Sequence, residues 1–340
     1  MLADYHFELP EEQIARRPAA TRDGSRLLHL PIRGPVAHRR FPDVEALLRP
    51  GDVLVVNDSR VLRARMEARK VDTGGRVEIL LVEPAPGGWI ALLGASKKVR
   101  GGQVLSLPGG EAVTVQDDLG EGLYLLRLPE SAETLTGRYG SLPLPPYLGR
   151  PPDEADEERY QTVYAEGPER SVAAPTAGLH FTSGLLARLE AIGVERRAVT
   201  LHVGPGTFLP VRTEDESQHV MHAERYSVPP ATAEAVRRAR AERRRVVAVG
   251  TTAVRVLESF EGQAGEGSTR LFIRPGFEFR WVDALVTNFH LPRSTLLMLV
   301  AAFGGRERVL SAYAEAVREG YRFYSYGDAM FVERPEGGQP

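Results

Sequence analysis

Between residues 61 and 146 the chain changes character, and that change constrains the fold more than any other feature. Short apolar runs at residues 77–82, 89–93, 104–107, 112–115 and 123–128 are separated by glycine-bearing turn signals. These are Thr73-Gly74-Gly75, Gly87-Gly88, Gly101-Gly102, Gly109-Gly110 and Gly120-Glu121-Gly122. Regularly spaced short strands with glycine turns predict a small antiparallel barrel or sandwich. The segment closes on Leu142-Pro143-Leu144-Pro145-Pro146-Tyr147, where proline favours stiff, extended backbone.

The flanks read differently. Residues 52–56 form a buried-type strand ending in the polar Asn57-Asp58-Ser59-Arg60. Residues 183–192 place Leu185, Leu186, Leu189 and Ile192 on one helical face, with Gly193 as the stop. Strands over 194–203, 246–249 and 282–286 then alternate with helices over 231–245, 253–260, 295–303 and 306–319. Such alternation argues for a layered α/β domain with helices on both faces of a sheet. Because it both precedes and follows the glycine-punctuated stretch, the expected organisation is one discontinuous domain, residues 1–60 and 147–340. The small β-barrel domain is inserted over residues 61–146.

A chain of 340 residues with 42% hydrophobic and 26% charged residues has enough apolar material for two ordinary globular domains. No run of eighteen apolar residues is present, so no membrane span is expected, and the acidic start MLADYHFELPEE is no secretory signal. The absence of cysteine excludes disulfides and thiolate metal sites and fits a cytoplasmic protein. A net charge of −2 offers nucleic acid no global attraction. Basic residues do crowd locally, at Arg60, Arg63, Arg65, Arg69 and Lys70, and again between Arg237 and Arg245; a solvated, acid-balanced surface explains either cluster equally well. The only lysines are Lys70, Lys97 and Lys98, so the adjacent pair in Ala95-Ser96-Lys97-Lys98 looks retained for its compact ammonium groups.

Four segments combine histidine with Gly, Pro, Thr or Asn where the apolar pattern breaks. They are residues 173–181 (AAPTAGLHF), 201–208 (LHVGPGTF), 219–224 (HVMHAE) and 287–292 (TNFHLP), and they hold five of the eight histidines. Loops between regular elements are where a scaffold presents its chemistry. Metal binding by His180, His202, His219, His222 and His290 is one reading. Yet the chain has no HExxH, no His-x-His and no dense aspartate set, so imidazoles acting as acid–base groups are more economical. Val249-Gly250-Thr251-Thr252 reads as strand, tight turn and helix start. Its amides suit a carboxylate or phosphate, or threonine simply caps the helix. No dinucleotide fingerprint or Walker loop is present.

These segments, with Phe7-Glu8-Leu9-Pro10, Asn57-Asp58-Ser59-Arg60-Val61, Ala95-Ser96-Lys97-Lys98, Tyr160-Gln161-Thr162-Val163-Tyr164, Gly250-Thr251-Thr252, Pro275-Gly276-Phe277 and residues 321–330, carry a family resemblance. The chain resembles the S-adenosylmethionine:tRNA ribosyltransferase-isomerases of queuosine biosynthesis, with motifs in order from about Phe7 to Phe331. Ser59 where threonine is common, and Leu142 where methionine is common, preserve the chemistry.

The resemblance implies a three-layer α/β/α domain carrying a small β-barrel. It implies a cytoplasmic enzyme, expected to be a monomer, without a prosthetic group or metal. S-adenosylmethionine is consumed as ribosyl donor. The acceptor is 7-aminomethyl-7-deazaguanine at the tRNA wobble position, and the products are epoxyqueuosine-tRNA, adenine and methionine. A sulfonium acidifies the adjacent C5′ protons, the departing adenine needs a proton or hydrogen bond, and the acceptor amine must be neutral. Groups that titrate near neutrality meet those needs. The expected catalytic set is His180, His202, His222 and His290, with Glu224 and Asp328 as proton acceptors. Thr176, Thr207 and Asn288 are expected to hydrogen-bond nucleoside or base edges, and Thr251, Thr252 and Arg255 to hold the methionine carboxylate. Phe181 or Phe289 would face the sulfonium, and Arg60, Lys97 and Lys98 would contact tRNA. Two rivals stand beside this reading: a metal-dependent nucleoside hydrolase using the same histidines, and a non-catalytic RNA-binding protein built on the barrel.

Overall fold

A computed structural model describes residues 2–166, 169–204 and 221–335, the side chains of residues 169 and 170 excepted. The chain opens with β1 (Arg26–Leu30), β2 (Ala37–Arg40), β3 (Val53–Asn57) and a short β4 (Arg60–Val61). Six strands follow: β5 (Arg65–Lys70), β6 (Arg76–Ala85), β7 (Gly88–Ala95), β8 (Val104–Ser106), β9 (Ala112–Gly120) and β10 (Leu123–Arg127). Next come α1 (Ala132–Tyr139), α2 (Glu154–Arg159), β11 (Glu169–Ser171), α3 (Ser183–Ala191), β12 (Glu195–Leu201) and β13 (Glu224–Val228). The remainder is α4 (Pro230–Ala241), β14 (Val246–Val249), α5 (Thr251–Ser259), β15 (Gly265–Thr269), β16 (Ala284–Asn288), α6 (Thr295–Gly304), α7 (Arg306–Arg318) and β17 (Ala329–Glu333).

Strands β5 to β10 close into an antiparallel barrel in the order β10-β7-β6-β5-β8-β9. Of the two predicted forms, barrel and sandwich, the barrel is the one adopted. In β5, Met66, Ala68 and Lys70 are buried while Glu67 and Arg69 are exposed. That is the period of two of a strand with one covered face. Arg65, Arg69 and Lys70, which the sequence presents as part of a basic cluster, thus belong to a single strand. The Lys70 ammonium is buried and donates to the carbonyls of Lys97 (2.9 Å) and Lys98 (3.0 Å).

The main sheet has nine described strands in the order β15-β13-β12-β3-β14-β16-β17-β1-β2. β12, β3, β14 and β16 are parallel, whereas β17 and β1, parallel to one another, run the opposite way. Every residue of β3, β14 and β16 is buried, as in strands covered on both faces. Alternate residues feed two cores. Val53, Val55, Val246, Ala248 and Leu285 join the apolar faces of α4, α5, α6 and α7. Leu54, Val56, Val247, Val249, Ala284 and Val286 join Phe41, Val44 and the leucines of α3. The predicted mixed α/β architecture, with helices on both faces and a separate barrel, is the one observed. Among the described residues no helix is long and apolar enough to cross a membrane.

This topology decides where the chemistry sits. The carboxyl ends of β12, β3, β14 and β16 share one sheet edge with the amino ends of β13, β17 and β1. The register places Asn57 opposite Val199, Asn288 opposite Ala329, and Leu27 opposite Ala329. His202, Asn57, Gly250, Asn288, Glu224, Asp328 and Ser25 are therefore strung along a single edge. In open α/β sheets the carboxyl ends of the strands are where ligands bind.

Candidate active site

The middle of the edge is pinned by Asn57. Its side chain accepts from the Leu201 amide (3.0 Å) and donates to the Leu201 carbonyl (3.2 Å), replacing backbone pairing where β3 ends. Asp58 accepts from the Thr200 hydroxyl at 2.6 Å, and burial raises its carboxyl pKa. Beside it Gly250, at φ 89°, lets the chain turn from β14 into α5, a conformation that glycine adopts at little cost. Gly250 is also the cap of α5 and no side chain bonds there, so threonine does not cap this helix.

On the β12–β13 side, His202, Gly204, His222, Glu224 and Arg270 line a cavity of about 230 Å³ whose opposite wall is barrel, including Glu83, Ile90 and Leu123. Glu224 is buried, accepts from the Gly204 amide at 2.9 Å and forms an ion pair with the buried Arg255. Arg255 also donates to the Leu271 carbonyl at 3.1 Å, while its Nη2 is buried without a hydrogen-bond partner among the described residues. An unpaired buried donor is costly and calls for a reason. Thr252 Oγ1, at the start of α5, is likewise buried with no partner among the described residues.

On the β16–β17–β1 side, His180 stands at the end of a 3-10 turn over Thr176–His180. Gly178 makes that turn possible, since a Cβ there would lie 2.0 Å from the Tyr164 hydroxyl. His180 stacks on Phe41 with ring centroids 4.9 Å apart. Asn288 Nδ2 donates to the Tyr324 carbonyl (3.0 Å) and to His180 Nε2 (3.2 Å). Nε2 must then accept, so Nδ1 carries the proton and donates to Ser25 Oγ at 2.8 Å. Burial, then the nearby Arg322 charge, lowers the His180 pKa to about 3, so the ring is neutral at physiological pH. Asn288 Oδ1 is buried without a partner among the described residues.

The edge thus brings the expected residues to one end of the sheet, but not to one point. His202, His222 and Glu224 share the barrel cavity; His180 and Asn288 hydrogen-bond to one another further along the edge, beside Phe41. His290 bonds Thr287 Oγ1 at 2.9 Å, and burial lowers its pKa to about 3. Asp328 accepts from the amides of Arg26 and Arg322, both at 2.8 Å. Phe181 meets Phe41 edge-on, and Phe289 packs among Tyr313, Tyr321 and Phe323; both phenylalanines are 0% exposed and belong to the cores. Thr176 opens the turn before His180, and Thr251 is buried at the first position of α5. Arg60, Lys97 and Lys98 are exposed, Lys98 pairing with Asp118 at 2.9 Å. Thr207 and His219 lie outside the described residues. Among those described, no three His, Asp or Glu side chains stand together as metal ligands.

Sequence reasoning passed over Ser25, Phe41, Arg270 and the barrel wall. Arg270 and the wall carry no local signal, because only tertiary closure brings them to the cavity. Lys70 did carry one: the scarcity of lysine applies to it as much as to Lys97 and Lys98.

A family described as "Queuosine biosynthesis protein" matches residues 2–332. A relative from Anaeromyxobacter sp. (strain Fw109-5), named S-adenosylmethionine:tRNA ribosyltransferase-isomerase, is 56% identical across 98% of this chain and 99% of its own. One of the same name from Thermus thermophilus is 56% identical across 97% and 99%. The crystal structure of S-adenosylmethionine tRNA ribosyltransferase from Thermotoga maritima superposes with a TM-score of 0.55 at 36% identity, covering 97% of this chain and 99% of that one. Architecture, motif order and near-complete coverage agree, and the chain belongs to the queuosine biosynthesis protein family.

Proposed function

We propose that this chain transfers and isomerises the ribosyl moiety of S-adenosylmethionine onto the aminomethyl group of 7-aminomethyl-7-deazaguanine in tRNA. Epoxyqueuosine-tRNA, adenine and methionine are the products. The observation that carries the reading is 56% identity, over essentially the full length, to relatives named for this activity. S-adenosylmethionine serves as consumed substrate, the base stands at the wobble position, and the enzyme works as a cytoplasmic monomer. The barrel domain, residues 61–146, closes over the edge of the discontinuous α/β domain.

The unpartnered buried atoms support a division of labour. Arg255 Nη2 and Thr252 Oγ1 suit the methionine carboxylate at the start of α5, where the helix dipole also favours an anion. Asn288 Oδ1 accepts from a base N–H, held in place by its bonds to His180 and Tyr324. His202 and His222, lining the cavity, transfer the protons at C5′ and at the leaving adenine. Glu224 has both oxygens occupied and serves to orient Arg255 and the Gly204 amide. Mixing purified protein with S-adenosylmethionine and tRNA bearing the aminomethyl base should release one adenine per modified tRNA. Methyl transfer to the RNA, or no adenine at all, would sink the reading.

A further inference from the structure

The arginines fall into two kinds according to what they hold. On and after α4, Arg238 pairs with Glu195 (2.9 Å), Arg240 with Asp283 (2.9 Å), Arg244 with Glu242 (2.7 Å) and Arg245 with Asp52 (2.5 Å). Those four charges are matched where they stand and have little left for a polyanion.

Around the small cleft above His180 the balance is different. Arg22 donates to the carbonyls of Gln161 (2.7 Å) and Glu158 (2.8 Å), and Arg159 to that of Ala20 (3.4 Å). Arg322 donates to the carbonyls of Tyr326 (2.6 Å) and Arg17 (3.4 Å). None of the three forms an ion pair with a described carboxylate. Asp156, which touches Tyr326, is already held by both terminal nitrogens of Arg150. The Glu158 carboxylate favours the charged form of Arg22, yet burial and the like charge of Arg159 outweigh it and lower the Arg22 pKa. Arg22 and Arg159 line the cleft with Ser25, His180, Ser325 and Tyr326. Carbonyl bonds hold these guanidiniums without an ion pair to any described carboxylate. At the floor, the His180 Nδ1–H donates to Ser25 Oγ, so the serine's own proton remains available to a further acceptor.

We propose that a phosphate of the RNA backbone sits at the mouth of this cleft, held by Arg22 and Arg159, which line it, and by Arg322 on the neighbouring Tyr326 carbonyl, with one oxygen directed to Ser25. The proposal rests on the reading of the chain as a tRNA-modifying enzyme. Unmatched guanidiniums with a fork of fixed donors suit phosphate oxygens. On the proposed function, the single carboxylate of S-adenosylmethionine has its own donors at Arg255 and Thr252, which do not line this cleft. A phosphate held here positions the strand against the Asn288 side of the edge without reading its sequence.

The test uses the full chain, with Arg159→Gln, Arg322→Gln, their double variant and the charge-preserving Arg159→Lys. Arg318→Gln, on α7 where Arg318 pairs with Glu315, is the control. Dissociation constants for tRNA are measured across a potassium chloride series, and those for S-adenosylmethionine separately. The double variant should weaken tRNA binding by about tenfold or more and reduce the slope of log Kd against log salt by about one phosphate contact. S-adenosylmethionine affinity should not move, Arg159→Lys should keep most of the slope, and the control should match wild type. Unchanged tRNA affinity and slope in a folded double variant would overturn the proposal. So would a loss confined to S-adenosylmethionine, which would make the anion its carboxylate. Adenine release by the wild-type protein keeps the two readings apart. Where it occurs and the variants bind tRNA normally, only the phosphate site fails. Where it does not occur, yet the salt slope falls as stated, the site stands and the enzymatic reading fails.

Discussion

At the β16–β17–β1 end of the edge, His180 has a protein partner on each ring nitrogen and an aromatic face beneath it. At the β12–β13 end, His202 and His222 line a cavity whose far wall belongs to the barrel, with a buried Glu224–Arg255 ion pair behind them. The first arrangement is a preorganised network: a neutral imidazole and an amide lock one another, and the loop at Tyr324, in a single geometry. The second couples a buried charge pair to a wall from another part of the chain, and can change if the barrel shifts. On the function proposed above, the first is a recognition wing and the second the wing of proton transfer.

The largest expected effect separates the wings by stability. Glu224→Ala leaves the Arg255 guanidinium buried without its counter-charge, which costs about 3–5 kcal/mol. Denaturant unfolding should show that loss, and Glu224→Ala with Arg255→Met should recover most of it. A single variant as stable as wild type would mean that the pair is not the electrostatic centre of its wing.

Next comes catalysis. His202→Ala and His222→Ala should each slow adenine release by about 100-fold or more with little change in unfolding midpoint, the range for losing a positioned acid or base. His180→Gln should cost less in rate, because its ring already spends both nitrogens on protein groups. If His180→Gln proves the more damaging to the rate, the assignment of roles to the two wings is reversed.

Much of this arrangement was legible in the residues, and the parts that were not have physical reasons. β14 and α3 could be read because unbroken apolar runs and a leucine face with a glycine stop leave few alternatives. β5 could not: RMEARK alternates correctly, but its buried positions are Met66, Ala68 and a lysine, so its charge masks the period. The site motifs were recognisable as turns rich in histidine, yet the partner of each histidine depends on which strand ends meet, and that is set by topology. Phe181 and Phe289 show the limit most clearly. A core aromatic and a ligand-facing one look alike beside a polar turn, and only packing against Phe41 or Tyr313 identifies these two as core.

A smaller effect sharpens the account of the rigid wing. Asn288→Ala removes the donor to both His180 Nε2 and the Tyr324 carbonyl. Leaving buried acceptors unpaired should cost about 1–3 kcal/mol in unfolding free energy. It should also raise the KM for tRNA more than that for S-adenosylmethionine. Asn288→Asp would retain the shape but present oxygen to two acceptors, and should be no better than alanine. An aspartate variant equal to wild type would show that the amide donates nothing there.

The last effect is read from pH. Burial holds His180 and His290 near 3, against an ordinary value of 6.5. Below 6.5 the unfolded chain takes up protons that the native state refuses. The stability linked to each neutral ring is therefore complete above about 6.5 and is lost as pH falls toward 3, with a slope of up to about 1.4 kcal/mol per pH unit. His180→Gln keeps a polar side chain at the site and removes one of these two contributions. Unfolding free energies of wild type and variant should run parallel above pH 6.5 and converge below it, because only the wild type must refuse a proton at that position. Curves that stay parallel down to pH 4 would show that His180 accepts its proton without breaking the bond from Asn288, and the recognition wing would then be no more rigid than the cavity it faces along the edge.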